Sequence, residues 1–253
     1  MSGDVVGRLR AAGCVYAEDE ATLLLAAAST PRELEDLVVR RISGLPLEHV
    51  LGWAEFAGLR IAVDQGVFVP RRRSDLLVRT AAGLVRPGAV VTDVCCGSGA
   101  LGAALLAART DITVHACDID AAAVACARRN LPPESVHLGD LLDALPSWLR
   151  GQLDLVVANA PYVPTGEIAM MPPEARDHEP RVALDGGTDG VEVHRRLAAA
   201  APQWLAPDGA LLIETGERQA ATTEQVLVAA GFRCRTVRDE ELDATVVLGV
   251  LTG

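Results

Sequence analysis

From residue 75 onward, short apolar runs alternate with longer segments of helical periodicity, the pattern of a parallel sheet with crossover helices. Strands are predicted at 89–94, 112–117, 135–138, 154–158, 210–214, 233–238 and 245–250, and helices at 75–85, 99–109, 120–130, 187–204 and 217–230. Pro207-Asp208-Gly209 reads as a turn before the fifth strand. Only Asp239 to Ala244 separate the last two strands, too few residues for a crossover helix, so they should pair antiparallel. The expectation is six parallel strands and one reversed near the end.

The first 45 residues follow a different period. Glu18 to Ala28 is rich in Ala and Leu. Thr30, Pro31 and Glu33 form a capping box, Leu34, Leu37, Val38 and Ile42 repeat at helical spacing, and Gly44 can close that helix. Residues 46–74 change again: Trp53-Ala54-Glu55-Phe56 and Leu59 to Val63 flank Ala57-Gly58, a hairpin signal. The chain therefore divides into a helical subdomain at 1–45, a β-hairpin connector at 46–74 and an α/β domain at 75–253.

Composition narrows the chemistry. The net charge is −11 and all 23 basic residues are arginine, so no phosphate-loop or Schiff-base lysine exists. A chain this acidic lacks the basic footprint of nucleic-acid binders, which disfavours nucleic acid as substrate. The six cysteines form no C-x-x-C pair and lack a histidine at zinc-site spacing, so no metal site is expected. Free thiols, with no membrane-length apolar run, point to the cytoplasm. Arg71-Arg72-Arg73 is either a solvated connector or an anion or partner contact.

Two stretches carry candidate chemistry. The first strand of the α/β domain ends in Asp93-Val94-Cys95-Cys96-Gly97-Ser98-Gly99 and opens a helix, and the second ends at Asp118. Gly97 to Gly102 fits the dinucleotide pattern G-x-G-x-x-G. The competing pattern, D-x-(G)-x-G-x-G, cradles the amino-acid end of S-adenosylmethionine. That pattern fits better: Asp93 closes the strand where it can help hold the ammonium group, the loop is long for a dinucleotide turn, and the reversed final strand belongs with methyltransferase sheets. Cys95 stands at its first glycine. Asp118 is placed to accept from ribose hydroxyls. Asp140 either reaches the adenine amino group, with Leu141 against the ring, or caps a helix.

The fourth strand stops at Asn159-Ala160-Pro161-Tyr162. With Pro46 to Gly52, Gly66 to Arg71, the Asp93–Gly99 loop, Asp118 and Glu179 to Gly187, this stretch resembles the protein-(glutamine-N5) methyltransferase family over roughly residues 45–250. That family modifies the glutamine of the Gly-Gly-Gln loop in peptide-chain release factors, and a sister group modifies a ribosomal protein. The resemblance implies a seven-stranded, Rossmann-like class I fold and S-adenosylmethionine bound by Asp93, Cys95, Cys96, Gly97, Ser98, Gly99, Asp118, Asp140, Leu141 and Asn159. It implies a protein substrate, a release factor or a related translation protein.

The residue types suit the reaction. An amide nitrogen is a poor nucleophile, and the Asn159 side-chain oxygen and Ala160 carbonyl can each accept one of its N–H groups, a gain from positioning. Pro161 stiffens the turn and Tyr162 can pack on the planar amide. The family pattern has proline where Ala160 stands and Arg-Pro-Glu-Thr-Glu where Arg71-Arg72-Arg73-Ser74-Asp75 stands, and the N-terminal helical region is shorter. Two further readings stay open: a nucleic-acid amino-group methyltransferase, and a degenerate cofactor-binding module motivated by Cys95 and Ala160.

Overall fold

The computed structural model describes residues 2–252; Met1 and Gly253, the outer ends of the first and last predicted units, lie outside them. Four helices come first: α1 (Ser2–Ala11), α2 (Ala17–Ala27), α3 (Pro31–Ile42) and α4 (Leu47–Leu51). They close around Val5, Leu9, Leu24, Val38 and Val50. The capping box at α3 forms with a one-residue shift. Thr30 Oγ1 accepts from the Glu33 N–H, and Glu33 reaches back to the N–H of Ser29. The hairpin β1 (Trp53–Phe56) and β2 (Leu59–Ala62) turns through Ala57 and Gly58, both at positive φ, as a two-residue turn of matching twist requires.

The remaining chain runs α5 (Asp75–Leu84), β3 (Val90–Val94), α6 (Ala100–Ala108), β4 (Thr113–Asp118), α7 (Ala121–Ala127), β5 (Val136–Leu138), β6 (Leu153–Ala158), α8 (Pro173–His178), α9 (Glu192–Ala200), β7 (Leu205–Thr215), α10 (Glu217–Ala229), β8 (Phe232–Asp239) and β9 (Ala244–Leu251). The seven strands lie in the order β5-β4-β3-β6-β7-β9-β8, and β9 runs antiparallel to both its neighbours. The six-plus-one arrangement read from the sequence is present. Apolar residues cover both faces: α5 and α6 pack over Val91, Leu155 and Leu212 on one side, while Leu197, Trp204 and Leu227 pack over Val156, Leu211 and Val247 on the other.

Three expectations change. The helix predicted over 187–204 begins only at Glu192, because Gly187 and Gly190 sit in the left-handed region and shape a loop; it ends in a 3-10 turn at Ala201–Gln203. The helix predicted to reach residue 130 stops at Ala127. Pro207-Asp208-Gly209 is not a turn before the strand but an irregularity inside it: Leu153 pairs with Leu205 and Leu155 with Ala210, so the extra residues loop out, with Asp208 at positive φ. Residues 165–183, which carry no predicted element, hold two 3-10 turns and α8.

One buried ion pair ties the N-terminal helices together. The Arg41 guanidinium makes two bonds to Glu20, at 2.6 and 2.9 Å, and reaches Glu174 on α8 at 2.8 Å and the Leu45 carbonyl at 2.9 Å. Its side chain is 6% exposed and that of Glu20 is 10% exposed, so removing the cation strands a carboxylate away from water. Arg41→Ala is expected to lower unfolding stability by about 3 kcal/mol, whereas Arg41→Met with Glu20→Leu should recover most of the loss. Denaturant titration of the three proteins checks both outcomes.

Candidate active site

Strand β3 lies between β4 and β6, so the chain connections leave in opposite directions from its C-terminal end and open a crevice there. The loop filling that crevice is held from several sides. Asp118 Oδ2 accepts from the Gly97 N–H and its Oδ1 from the Asp120 N–H, both at 2.9 Å. Asn130 donates to the Ser98 carbonyl and to the Ala62 carbonyl, both at 2.8 Å, and accepts from the Ala62 N–H, so one side chain ties the loop to the hairpin. Gly99, at φ 77°, leads into α6; a Cβ there would press on Leu131 and Ala127. Cys96 points into the cluster of Ala116, Val124, Ala127 and Leu131.

Cys95 carries a φ of 59°, a conformation that glycine takes freely and a residue with a Cβ takes at a cost of about 1 kcal/mol. Its side chain lines three connected hollows. The largest, about 570 Å³, is lined by Cys117, Asp118, Ile119, Asp140 and Leu141 at the strand ends and by Thr165, Arg181, Val182 and Arg196. Asp118, Ile119, Pro161 and Val182 also border a narrower hollow of about 50 Å³ that includes Gly97 and Asn159. A third, about 30 Å³, is bordered by Cys96, Gly97, Ser98, Ser74 and Asn159. The predicted cofactor residues thus converge, with two exceptions in placement. Gly99 supports the loop without bordering these hollows. Asp93 lies fully buried beneath them, its Oδ2 accepting from the Gly102 N–H at 3.0 Å and its Oδ1 without a partner.

Asp140 borders the large hollow but pairs through Oδ2 with Arg196 at 2.5 Å, leaving its second oxygen free. It sits at the cap position of the 3-10 turn Leu141–Ala144 without making the side-chain cap bond. Leu141 is at φ 49° and its carbonyl accepts from Cys117 Sγ.

At the end of β6, Asn159 Nδ2 donates to Ser74 Oγ at 3.2 Å. The Asn159 Oδ1 is thereby left as the acceptor of the pair. Ala160 is 1% exposed and its methyl packs in the core. Pro161 borders the two larger of these hollows, and Tyr162 faces a separate cavity of about 620 Å³ with Arg71, Arg73, Glu48, Met171 and Glu179. The Asn159–Tyr162 stretch is therefore a wall between two spaces, one beside the glycine loop and one beside the N-terminal helices.

Motifs far apart in sequence brace this wall. Glu179 Oε1 accepts from Arg71 at 2.6 Å and from the Val69 N–H at 3.1 Å. Arg71 is thus an ion-pair partner instead of a free connector, and Arg73 lies 3.4 Å from Glu214. His49 Nε2 bonds the Val67 carbonyl at 2.8 Å, which draws the Pro46–Gly52 segment onto Gly66–Arg71. The Val163 N–H donates to the Leu184 carbonyl and the Gly186 N–H to the Val163 carbonyl, so residues 184–190 run alongside the arm after Tyr162. Ser74, Asn130 and Glu214 were not candidates from the sequence; each is a single polar residue whose partner lies far along the chain.

The methyltransferase small domain family model matches residues 58–171. A release factor glutamine methyltransferase of Geobacter sulfurreducens is 36% identical over 217 residues, which are 83% of this chain and 75% of that protein. The chain belongs to the release factor glutamine methyltransferase family. A release factor glutamine methyltransferase of Streptomyces coelicolor is 40% identical over 73% of this chain and 67% of its own length. A 4-amino-L-phenylalanine/4-methylamino-L-phenylalanine methyltransferase of Streptomyces pristinaespiralis is 34% identical, covering 88% of this chain and 78% of that protein. A methyltransferase of Pyrococcus furiosus shares the fold at TM-score 0.57 and 17% identity, over 76% of this chain and 89% of that one.

The cofactor of this family is S-adenosylmethionine, and the residues present fit it. Asp118 keeps lone pairs beyond its two backbone bonds for ribose hydroxyls. Leu141 and Ile119 give the large hollow apolar walls for a purine, and it runs into the narrow one that reaches Asn159. Among the described residues no group of three or more His, Cys, Asp or Glu is placed to hold a metal.

Burial raises the Asp93 carboxyl to about 7, against an ordinary value of 3.8, with the Gly102 N–H opposing and Asp118 adding to the shift. Below about pH 4 both folded and unfolded chains hold this proton; between about 4 and 7 only the folded chain does, so its contribution to stability falls as pH rises. Asp93→Asn should therefore gain in melting temperature relative to the parent protein from pH 4 to pH 7 and level off above, when the two are scanned without cofactor. Gly190 is at φ 78°, and a Cβ there would overlap the Tyr162 carbonyl oxygen. Gly190→Ala should cost about 2 kcal/mol and show as a lower melting midpoint.

Proposed function

We propose that the chain methylates the side-chain amide nitrogen of a glutamine in a protein, with the Gly-Gly-Gln loop of a peptide chain release factor as its substrate. The observation that carries this reading is the orientation of Asn159. Its Nδ2 donates to Ser74, so its oxygen is the free acceptor beside the two narrow hollows that the glycine loop also borders.

When bound, S-adenosylmethionine supplies an electrophilic methyl on a sulfonium. The chain's own residues do the rest. An amide N–H given to Asn159 Oδ1, and a second to the Ala160 carbonyl, would hold the amide with its nitrogen lone pair turned toward the loop side. Tyr162 has a phenol pushed up to about 12, chiefly by burial, so it stays protonated and offers a neutral ring for the flat amide. Pro161 and Val182 border the narrow hollow of about 50 Å³ beside Asn159, room for something as slim as a side-chain end and not for a bulky group.

Protein as the substrate class agrees with the volume of about 620 Å³ on the Tyr162 side, and a release factor agrees with the substrate named for several relatives. The acidic chain, at −11, weighs against DNA or RNA in that space. Incubating purified release factors with methyl-labelled cofactor, followed by mass analysis of the Gly-Gly-Gln peptide, is expected to show one added methyl on glutamine. Asn159→Ala should lower that rate by about 100-fold or more while cofactor still binds by calorimetry. Transfer to 4-amino-L-phenylalanine instead, with none to the release factors, would overturn the protein substrate.

A further inference from the structure

We propose that Ser74 and Glu214 form a directional hydrogen-bond relay that fixes which end of the Asn159 amide faces the substrate, making both positioning residues for methyl transfer. This rests on the reading of Asn159 as the acceptor of a substrate N–H.

A side-chain amide has two ends of similar shape and opposite polarity, so Asn159 needs something to choose between them. Its Nδ2 donates to Ser74 Oγ at 3.2 Å. Ser74 is 2% exposed and sits on the 3-10 turn Arg72–Ser74, so its own proton cannot go to bulk water. The neighbouring acceptor is Glu214. In the sheet, Ala158 pairs with Ile213, which brings the next residues of β6 and β7, Asn159 and Glu214, out at the same level.

The Glu214 side chain is 1% exposed, and neither carboxylate oxygen has a completed hydrogen bond. The donors beside it are the Ser74 hydroxyl and the Arg73 guanidinium, whose Nε lies 3.4 Å from Oε1. A buried carboxylate left without donors is costly, so it takes the two at hand.

Direction follows from chemistry. An ionised carboxylate only accepts, so the Ser74 proton is committed to Glu214 and the Ser74 lone pair is committed to Asn159 Nδ2. Asn159 Oδ1 is then the end that remains. Arg73 completes the device: it holds the negative charge on Glu214 and lies 5.7 Å from the Tyr162 ring centroid, linking both ends of the Asn159–Tyr162 wall to one buried charge. Burial pushes the Glu214 carboxyl up, and the Ser74 and Arg73 donors oppose that shift. Replacing the carboxylate by an amide places an N–H donor next to Ser74. The hydroxyl can then turn its proton toward Asn159, and the Asn159 amide is free to present Nδ2 to an incoming N–H, donor against donor.

The test compares Ser74→Ala, Ser74→Thr, Glu214→Gln and the double variant Ser74→Ala with Glu214→Gln, using the full chain, methyl-labelled cofactor and purified release factor. Ser74→Ala and Glu214→Gln should each lower kcat by about 10- to 100-fold with KM for the protein changed by less than about twofold. Cofactor affinity by calorimetry should stay near the parent value, while Ser74→Ala, which removes a donor from the buried Glu214 carboxylate, should lower the melting midpoint. Ser74→Thr, which keeps the hydroxyl, should restore kcat, and the double variant should be no slower than the worse single one, because both break the same chain of bonds.

A Ser74→Ala enzyme with parent kcat overturns the relay, as does a double variant whose losses multiply, or a loss that falls on cofactor affinity instead of kcat. Should Glu214→Gln fail to fold, the Ser74 pair decides alone. Failure of the underlying reading shows earlier: a parent enzyme that binds cofactor yet methylates no release-factor glutamine sinks both.

Discussion

The parallel register of β3 against β6 is the constraint on which the site depends. Val91 pairs with Leu155, Thr92 with Val156, Asp93 with Val157 and Val94 with Ala158, so Cys95 and Asn159 leave the sheet side by side. The glycine loop and the Asn159 turn could not border the same hollow in any other register. A slip of one residue would turn Val156 and Ala158 out of one core and expose the opposite set, which both buried faces forbid. Hydrophobic packing thus decides, at a distance, which polar groups meet. The same logic extends one strand further, where Ala158 opposite Ile213 delivers Glu214 to the back of Asn159.

Around that junction the chain keeps several carboxylates out of water. Asp93, Asp118, Glu179 and Glu214 are all raised by burial, and each is met by a backbone N–H or an arginine. Burying a carboxylate costs several kcal/mol unless donors replace the lost water, so these groups persist only where the backbone is already fixed. Their arrangement divides the labour. Asp93 and Asp118 grip the glycine loop from below and from the side, while Glu179 and Glu214 hold the arginines that frame Tyr162.

Much of this was legible in the sequence, for local reasons. Strand ends, the glycine loop and Asn159–Tyr162 announce themselves because periodicity, glycine and proline act within a few residues. The start of α9 was not legible: helical spacing continues back through 187, and only the close approach of Gly190 to the Tyr162 carbonyl shows why the helix waits until Glu192. Asp93 reads from the sequence as the end of a strand, but the strand ends one residue later, and only the three-dimensional packing shows that its side chain turns under the loop to the Gly102 N–H. Asn130 reads as an ordinary helix-end residue, and its bonds to Ala62 and Ser98 span separations no local pattern encodes. Ser74 and Glu214 share that character. Their meaning resides in strand order, which a single sequence does not state residue by residue.

The two departures from the family pattern differ in physical kind. At Ala160 the missing proline ring would have stiffened the chain, a gain of about 1 kcal/mol through the unfolded state. The methyl that replaces it packs in the core away from the hollows, and the neighbouring backbone is held by Gln219 at the Tyr162 carbonyl and by the loop of residues 184–190. Tertiary bonds therefore supply the rigidity that the ring would have given. Cys95 is another matter. It holds a left-handed conformation against its own Cβ, and its side chain borders each of the three hollows beside the glycine loop. Burial and the nearby carboxylates of Asp118 and Asp93 push its thiol up, so it faces these hollows as a neutral, soft, apolar group. Ala160 alters how firmly the wall is built, whereas Cys95 alters the shape of the space behind it. Any difference in how this chain grips its cofactor should trace to residue 95 before residue 160.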